Sequence, residues 1–397
     1  MTFIAPAWQA PLRGLAYQSA GTTDLGDGCV KLLLFSDLHL DAQFGALGLA
    51  EQAARARRQA LRDTLERIIA LAGEVKADAL LCGGDLYEQE RYSPDTAAFL
   101  QAAFRKIDPL PVYVAPGNHD WLGPASLYQR TAWSPNVRIF NGRALEPVAL
   151  SEGLTLWGAA HQAPANTGGF LDGFRVDRGG IHLALFHGAE QGWPLLDEED
   201  KAPHAPFRAE QIAQTGLHHA FLGHYHRPRD AERHTYPGNP APLTFGEDGE
   251  RGAVIATIHS DGSLLRERRR VSTVQARDVI VDVTGCVSQQ DVRARLAEAA
   301  RGLHGAARAT LTGELEPGVD LRPRDLVNAA PWLEALVVRL GNVRAGYDLE
   351  AIKDEPTVRG QFVRDVLAAV DLGDEQRRRV LLTGLRALDG RTDLEAL

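Results

Sequence analysis

The sequence predicts an α/β protein built on a parallel sheet, followed by a smaller α+β unit and C-terminal helices. Three observations predict it. Short apolar runs at 30–36, 78–82 and 111–115 alternate with helical apolar spacing at 49–73 and 93–106. That strand–helix–strand–helix–strand order implies parallel strands joined by crossover helices. Each run stops at a serine or glycine that leads into acids, amides or histidines. Beyond residue 272 the pattern becomes a strand, a capped helix, two more strands and two helices.

The run at 30–36 is apolar on both faces, as in a sheet covered on both sides. In the helix at 49–73, Leu61, Leu65, Ile68, Ile69 and Ala72 share one face. The strand at 78–82 is closed by Gly83-Gly84. Ser93 then reads as an N-cap with Pro94 in the first helical position, and Leu100, Phe104 and Ile107 point inward. Later strands are expected at 155–160, 181–186, 219–222, 252–259 and 264–270. Ser260-Asp261-Gly262 makes the last two a hairpin. In the last third, 278–284 alternates as a strand. Ser288 caps a helix with Val292, Leu296, Ala300 and Leu303 in one stripe. Strands at 309–312 and 335–340 and helices at 356–370 and 374–388 complete the pattern. The expected organisation is an irregular extension at 1–29, the main domain at 30–272, an α+β domain at 273–345 and a helical region at 346–397.

A chain of 397 residues, 44% hydrophobic, allows two or three domains with a full core. Net charge −9 excludes a global attraction to nucleic acid. Binding to DNA or RNA would need local patches. Arg266, Arg268, Arg269 and Arg270, and Arg377, Arg378 and Arg379, are the candidates for phosphate contacts. The three cysteines, Cys29, Cys82 and Cys286, are odd in number, lack a CxxC pair and sit in apolar settings. They read as reduced, buried thiols of a cytoplasmic protein. No apolar run is long enough to span a membrane. The first residues lack the basic start and apolar stretch of a secretory signal.

The polar groups collect where strands end. The five ends read Ser36-Asp37-Leu38-His39, Gly84-Asp85, Gly117-Asn118-His119-Asp120, Phe186-His187-Gly188 and Gly223-His224-Tyr225-His226. Open α/β sheets bind ligands beyond the carboxyl ends of their strands. The donors are oxygens and imidazoles without thiolate, a set that suits manganese, iron or zinc in a reactive centre. In D-x-H and H-x-H, alternate residues point to the same side. The neighbouring glycines permit tight turns and close approach to an anion. Two ions roughly 3.5–4 Å apart would clamp a phosphate and activate a water. Taken singly, each motif is an ordinary strand-end turn or surface pair. GNHD is more specific, because Asn-His-Asp behind a buried strand is costly unless paired. The succession, each motif behind its own strand, favours a dinuclear site. His161, His182, His204, His218, His234, His259 and His304 fall outside the pattern and are assigned to structure or surface.

In this order, D-x-H, GD, GNHD, H and GHxH, the chain resembles the calcineurin-like metallophosphoesterase superfamily. More narrowly it resembles SbcD-type DNA repair exonucleases. Tyr236-Pro237-Gly238-Asn239-Pro240 and Phe245-Gly246-Glu247 are similar to that group's segment after GHxH. The resemblance implies a metallophosphoesterase β-sandwich flanked by helices, with a smaller α+β capping domain and C-terminal helices. It implies that Asp37, His39, Asp85 and His226 hold one metal. Asp85, Asn118, His187 and His224 hold the other, with Asp85 bridging. His119 then serves the departing oxygen, and Asp120 orients it. Two divalent ions, manganese by family habit, would activate the water that attacks a phosphodiester. DNA is the implied substrate, cut 3′ to 5′ and nicked in single strands. An SbcC-type coiled-coil ATPase is the implied partner at the C-terminal helices, and homodimers occur in the family. Glu88 departs from the pattern, since these nucleases commonly carry His or Asp there. Two other classes compete: a phosphodiesterase for small substrates such as cyclic nucleotides, and a partner-binding scaffold. The complete ligand set argues against the scaffold. The large second domain argues against the small-substrate enzyme.

Overall fold

The structure, a computed structural model, describes residues 28–192, 204–316, 319 and 321–390. The extension expected at 1–29 lies, but for its last two residues, outside the described residues. The chain divides into two compact units. One lies within Met1–Gln43, Ala54–Leu243 and Gly249–Val274, the other within Phe44–Ala53, Thr244–Asp248 and Gln275–Leu397.

The first unit begins with β1 (Val30–Phe35), α1 (Glu51–Glu74), β2 (Ala79–Cys82), α2 (Thr96–Arg105), β3 (Val112–Val114), α3 (Leu127–Arg130) and β4 (Val137–Ile139). It continues with β5 (Glu146–Ser151), β6 (Leu154–Gly158), β7 (Ile181–His187), α4 (Ala209–Gln214), β8 (His219–Gly223), β9 (Arg229–Asp230) and β10 (His234–Tyr236). It closes with β11 (Ala253–Ile258) and β12 (Leu264–Arg269). The strands form two six-stranded sheets, ordered β12-β11-β1-β2-β3-β4 and β5-β6-β7-β8-β10-β9. In the first, β1 to β4 run parallel and β11 and β12 are antiparallel. In the second, β6, β7, β8 and β10 run parallel between antiparallel edges. Leu32, Leu34, Leu81 and Val254 of one sheet meet Leu156, Leu183, Leu185 and Phe221 of the other in one buried core. This is an α/β sandwich. Leu61, Leu65, Ile68, Ile69 and Ala72 of α1 are buried along the expected stripe.

Several local expectations fail for identifiable reasons. Helix α2 starts at Thr96 behind Asp95, not at Pro94 behind Ser93. The Ser93 hydroxyl is held by Asp95 and Arg62 instead, and its amide donates to Asp41 at 3.0 Å. Arg266 and Arg268 are not available for phosphates. Alternation along β12 turns both inward, where Arg266 donates to the carbonyl of Ala231 (2.6 Å) and Arg268 to that of Pro237 (2.5 Å). Arg269 pairs with Glu267. Cys82 and Cys286 are buried, but Cys29 is exposed.

The second unit holds β13 (Ala276–Asp282), α5 (Gln289–Ala299), β14 (Ala306–Leu315) and β15 (Ala335–Ala345). It ends with α6 (Leu349–Lys353), α7 (Val358–Ala368) and α8 (Asp374–Leu388). The three strands are parallel. The Ser288 hydroxyl caps α5 at the amide of Asp291, and Val292 and Leu296 enter a core with Val281, Leu311 and Leu336. Ile352, Val363, Leu381 and Leu385 join the three last helices. Arg377 donates to the carbonyls of Ala369 and Leu372, and Arg378 to Glu314. Among the described residues, no helix is long and apolar enough to cross a membrane.

Two histidines within the second sheet of the sandwich are kept neutral. His219 is buried against Thr235 (Nε2–Oγ1 2.9 Å), and its pKa lies well below 6.5 through burial and then the charge of Arg266. His182, which accepts from the Trp157 indole, is lowered mainly by burial as well. Such groups cost nothing while the unfolded chain is also neutral. Below about pH 6.5 the unfolded chain takes protons that the fold refuses, so stability is lost as pH falls. The unfolding free energy should therefore drop between about pH 7.5 and about 5.5 in urea titrations. His219→Gln should flatten that slope by up to about 1.4 kcal/mol per pH unit. Identical slopes in the two proteins would show that His219 titrates alike folded and unfolded.

Candidate metal centre

The site begins with backbone geometry. Asp37, His39, Asp85 and His224 all have positive φ (53°, 49°, 51° and 115°). Left-handed turns at non-glycine residues are uncommon and cost of order 1–3 kcal/mol each, so their surroundings must impose them. The loops after β1 and β2 are zipped together. The amides of Asp37, His39 and Leu40 donate to the carbonyls of Gly84, Asp85 and Leu86 at 2.9–3.0 Å, and Glu88 returns a bond to Leu40. Gly84 is required here: its φ is +96°, and a Cβ would lie 2.7 Å from the Ala115 carbonyl and 2.8 Å from His187 Nδ1.

These turns bring the expected ligands together. His39 Nε2 lies 3.1 Å from His226 Nε2 and 3.6 Å from Asp85 Oδ2. His187 Nε2 lies 3.3 Å from Asp85 Oδ2 and 3.0 Å from Asn118 Oδ1. Asn118 Oδ1 is also 3.3 Å from His224 Nδ1. Asp37 receives the amide of His224 at 3.0 Å. Donor atoms of Asp37, His39 and His226 fall within 4.8 Å of one another, as do those of Asp37, Asp85 and His187. Asp85 stands between the two histidines His39 and His187. Donors that share an ion about 2.1 Å away are themselves roughly 3–3.5 Å apart.

The hydrogen bonds fix which ring nitrogens are free. His39 Nδ1 is 2.7 Å from Glu88 Oε1, and His187 Nδ1 is 2.9 Å from the Gly83 carbonyl. Both Nδ1 atoms must donate, so each neutral ring turns its Nε2 lone pair toward other acceptors. Such an arrangement suits a cation, and carboxylate- or carbonyl-held imidazoles are the usual metal ligands. Burial resists charging His187, yet the neighbouring Asp85 carboxylate carries its pKa up to about 9. Burial likewise opposes ionising Asp85, but His187 and then His119 and His39 hold it well below the usual range. The oxygen and imidazole donor set thus fits divalent metal ions, which Asp37, His39, Asp85, Asn118, His187, His224 and His226 could hold.

Asp120 does something other than expected. Its carboxylate accepts from the amides of Gly117 (2.6 Å), Asp85 (3.1 Å) and Leu86 (2.8 Å) and from the Tyr128 hydroxyl. The carboxylate at His119 is Glu88, whose Oε2 is 3.2 Å from Nδ1. One residue therefore holds both His39 and His119. Burial opposes it, but the bonds to His119 and His39 bring the Glu88 pKa down to about 2. His119 is raised to about 9 by Glu88 and Asp85 against the effect of burial. Its side chain remains 46% exposed, at the open edge of the cluster.

Two histidines set aside on sequence lie beside the site. His161 Nε2 donates to the His187 carbonyl (2.8 Å), and Thr167 donates to its Nδ1 (2.9 Å). Burial lowers its pKa to about 3, so it stays neutral. The signal was available, because His161 follows the end of β6. The His204 ring is 5.2 Å from that of His224, and no sequence pattern marks it. Asp41, the third alternate residue of Asp37-Leu38-His39-Leu40-Asp41, turns away to accept from Ser93 and Thr96.

The family model for calcineurin-like phosphoesterases matches residues 30–228. An uncharacterized metallophosphoesterase, YhaO of Bacillus subtilis (strain 168), is 27% identical over 261 residues, covering 63% of this chain and 62% of that protein. The DNA double-strand break repair protein Mre11 of Methanopyrus kandleri is 27% identical over 282 residues, 63% of this chain and 60% of that one. The chain thus spans about three-fifths of the length of these curated relatives. A crystal structure of a Thermus thermophilus protein, TT1561, aligns over 61% of this chain and 99% of its own, at 16% identity and a TM-score of 0.35.

Asp120→Ala leaves three buried amides and a hydroxyl without an acceptor, each worth about 1–3 kcal/mol. A stability loss of about 3 kcal/mol or more is expected in denaturant unfolding. A loss below about 1 kcal/mol would show that the loops hold without this carboxylate.

Proposed function

The chain belongs to the calcineurin-like phosphoesterase family, and on that premise we propose that it is a metal-dependent DNA nuclease of repair. The single observation behind the reading is the convergence of seven oxygen and imidazole donors from five strand ends beside a half-exposed histidine. Two divalent ions held there, manganese in this reading, would polarise a phosphodiester and make a water nucleophilic near neutral pH. Asp37, His39 and His226 would hold one ion. Asn118, His187 and His224 would hold the other, with Asp85 between them. His119, its Nδ1 occupied by Glu88, would offer Nε2–H to the departing oxygen. Glu88 favours the charged imidazolium needed for that donation and fixes the ring's orientation.

DNA is favoured as substrate by the similarity to the archaeal repair protein and by the segment Tyr236-Pro237-Gly238-Asn239-Pro240. In this reading the enzyme works in the cytoplasm with a coiled-coil ATPase. Exposed Val358, Leu367, Val370, Val380 and Leu388, on and beside α7 and α8, offer that partner an apolar surface. A second reading, hydrolysis of small phosphodiesters, draws support from the net charge of −9 and from the inward turn of Arg266 and Arg268.

The test is digestion of end-labelled duplex and single-stranded DNA with manganese, magnesium or EDTA. A cyclic dinucleotide and an aryl phosphodiester run alongside. Manganese-dependent loss of DNA is expected. His119→Ala should slow it about 10²–10⁴-fold, and Asp85→Asn should reduce it at least as much. Turnover of the small diesters alone would replace the repair reading with the second one.

A further inference from the structure

The segment after the last ligand loop is held at several points. Tyr236, at the end of β10, donates its hydroxyl to the carbonyl of Gly188, next to His187, at 2.7 Å. Arg268 grips the Pro237 carbonyl. Gly238 has φ +71°, and a Cβ there would lie 2.5 Å from the carbonyl oxygen of His226. The Asn239 amide donates to that same oxygen at 3.2 Å. Arg251, ahead of β11, sends Nη1 to it at 2.6 Å and also to the Asn239 side chain. Both Arg251 and Asn239 are buried. A guanidinium and an amide are costly to bury unless their bonds are used. Here the guanidinium of Arg251 donates to the peptide of one candidate ligand, and the Asn239 side chain accepts from that guanidinium while its backbone N–H donates to the same carbonyl.

His226 needs such support. Its ring must stand 3.1 Å from His39 to complete the group with Asp37. It lies in a loop that already follows a left-handed residue at His224. Partners one shell out from a metal ligand commonly govern affinity about 10–100-fold.

We infer that Arg251 and Asn239 are positioning residues: they fix the His226 peptide and thereby set the divalent-cation affinity of the Asp37–His39–His226 half of the centre. The inference rests on the two-metal reading. The measurement is manganese binding to the full chain by calorimetry, with far-UV circular dichroism and melting curves. It is made on the unchanged protein, Arg251→Met, Arg251→Lys and Asn239→Ala. The unchanged protein should take two ions. Arg251→Met and Asn239→Ala should keep the native spectrum and weaken one of the two sites about 10–100-fold, leaving the other unchanged. Arg251→Lys retains one donor, so it should fall between and report even if Arg251→Met fails to fold. Unchanged affinity at both sites, or equal weakening at both, overturns the positioning role and leaves the two-metal reading standing. Failure of the unchanged protein to bind two ions overturns that reading instead.

Discussion

Four donors end on the carboxylate of Asp120: the amides of Gly117, Asp85 and Leu86 and the hydroxyl of Tyr128. They come from the loops after β2 and β3 and from α3. The Asp85 amide is in turn part of the loop that zips onto the residues after β1. The rim therefore hangs together through one buried acid. Burial and the nearby Asp85 charge push its pKa up to about 6, and the bonds from Tyr128, Leu86 and Gly117 oppose that shift. Local propensity does not favour left-handed turns at Asp37, His39 and Asp85. The network over-determines them, which is how strained backbone survives at functional sites.

Glu88 solves a second problem with one side chain. In the proposed reading His39 as a ligand and His119 as a proton donor must each present a chosen nitrogen, and their rings lie 4.8 Å apart. A single carboxylate reaches both Nδ1 atoms, so the orientation of each ring is tied to the other. The departure from the nuclease pattern at this position is chemically conservative, since an acid still accepts from the ring behind it.

Much of this was legible in the chain. The strands of the two sheet centres announced themselves because both their faces are buried, which leaves uninterrupted apolar runs. The candidate ligands stood out because polar residues directly behind such runs need a reason. The two edge strands of the second sheet were not legible: β5 alternates between half-buried and exposed residues and includes Pro147, and β9 has only two residues. The split into two sheets was equally invisible from strand order. That Glu88 and not Asp120 accepts from His119 was not legible on sequence, since Asp120 is the adjacent acid and Glu88 lies 31 residues earlier. Their division of labour depends on which loop amides face inward. The arginine run at 266–270 misled because composition suggests a charged surface, while the alternation of β12 sends Arg266 and Arg268 into the protein.

The core between the two sheets has a consequence for how the centre is filled. Leu34, Leu81, Leu185 and Phe221 are fully buried without help from the ligands. Their burial supplies the folding drive that small metal-stapled domains must draw from the ion itself. An ion bound at the rim would be a guest in finished architecture. In the two-metal reading, loading and stripping it would exchange charges at the rim and leave the sandwich intact, so metal availability would switch the molecule between idle and competent states without passing through the unfolded chain.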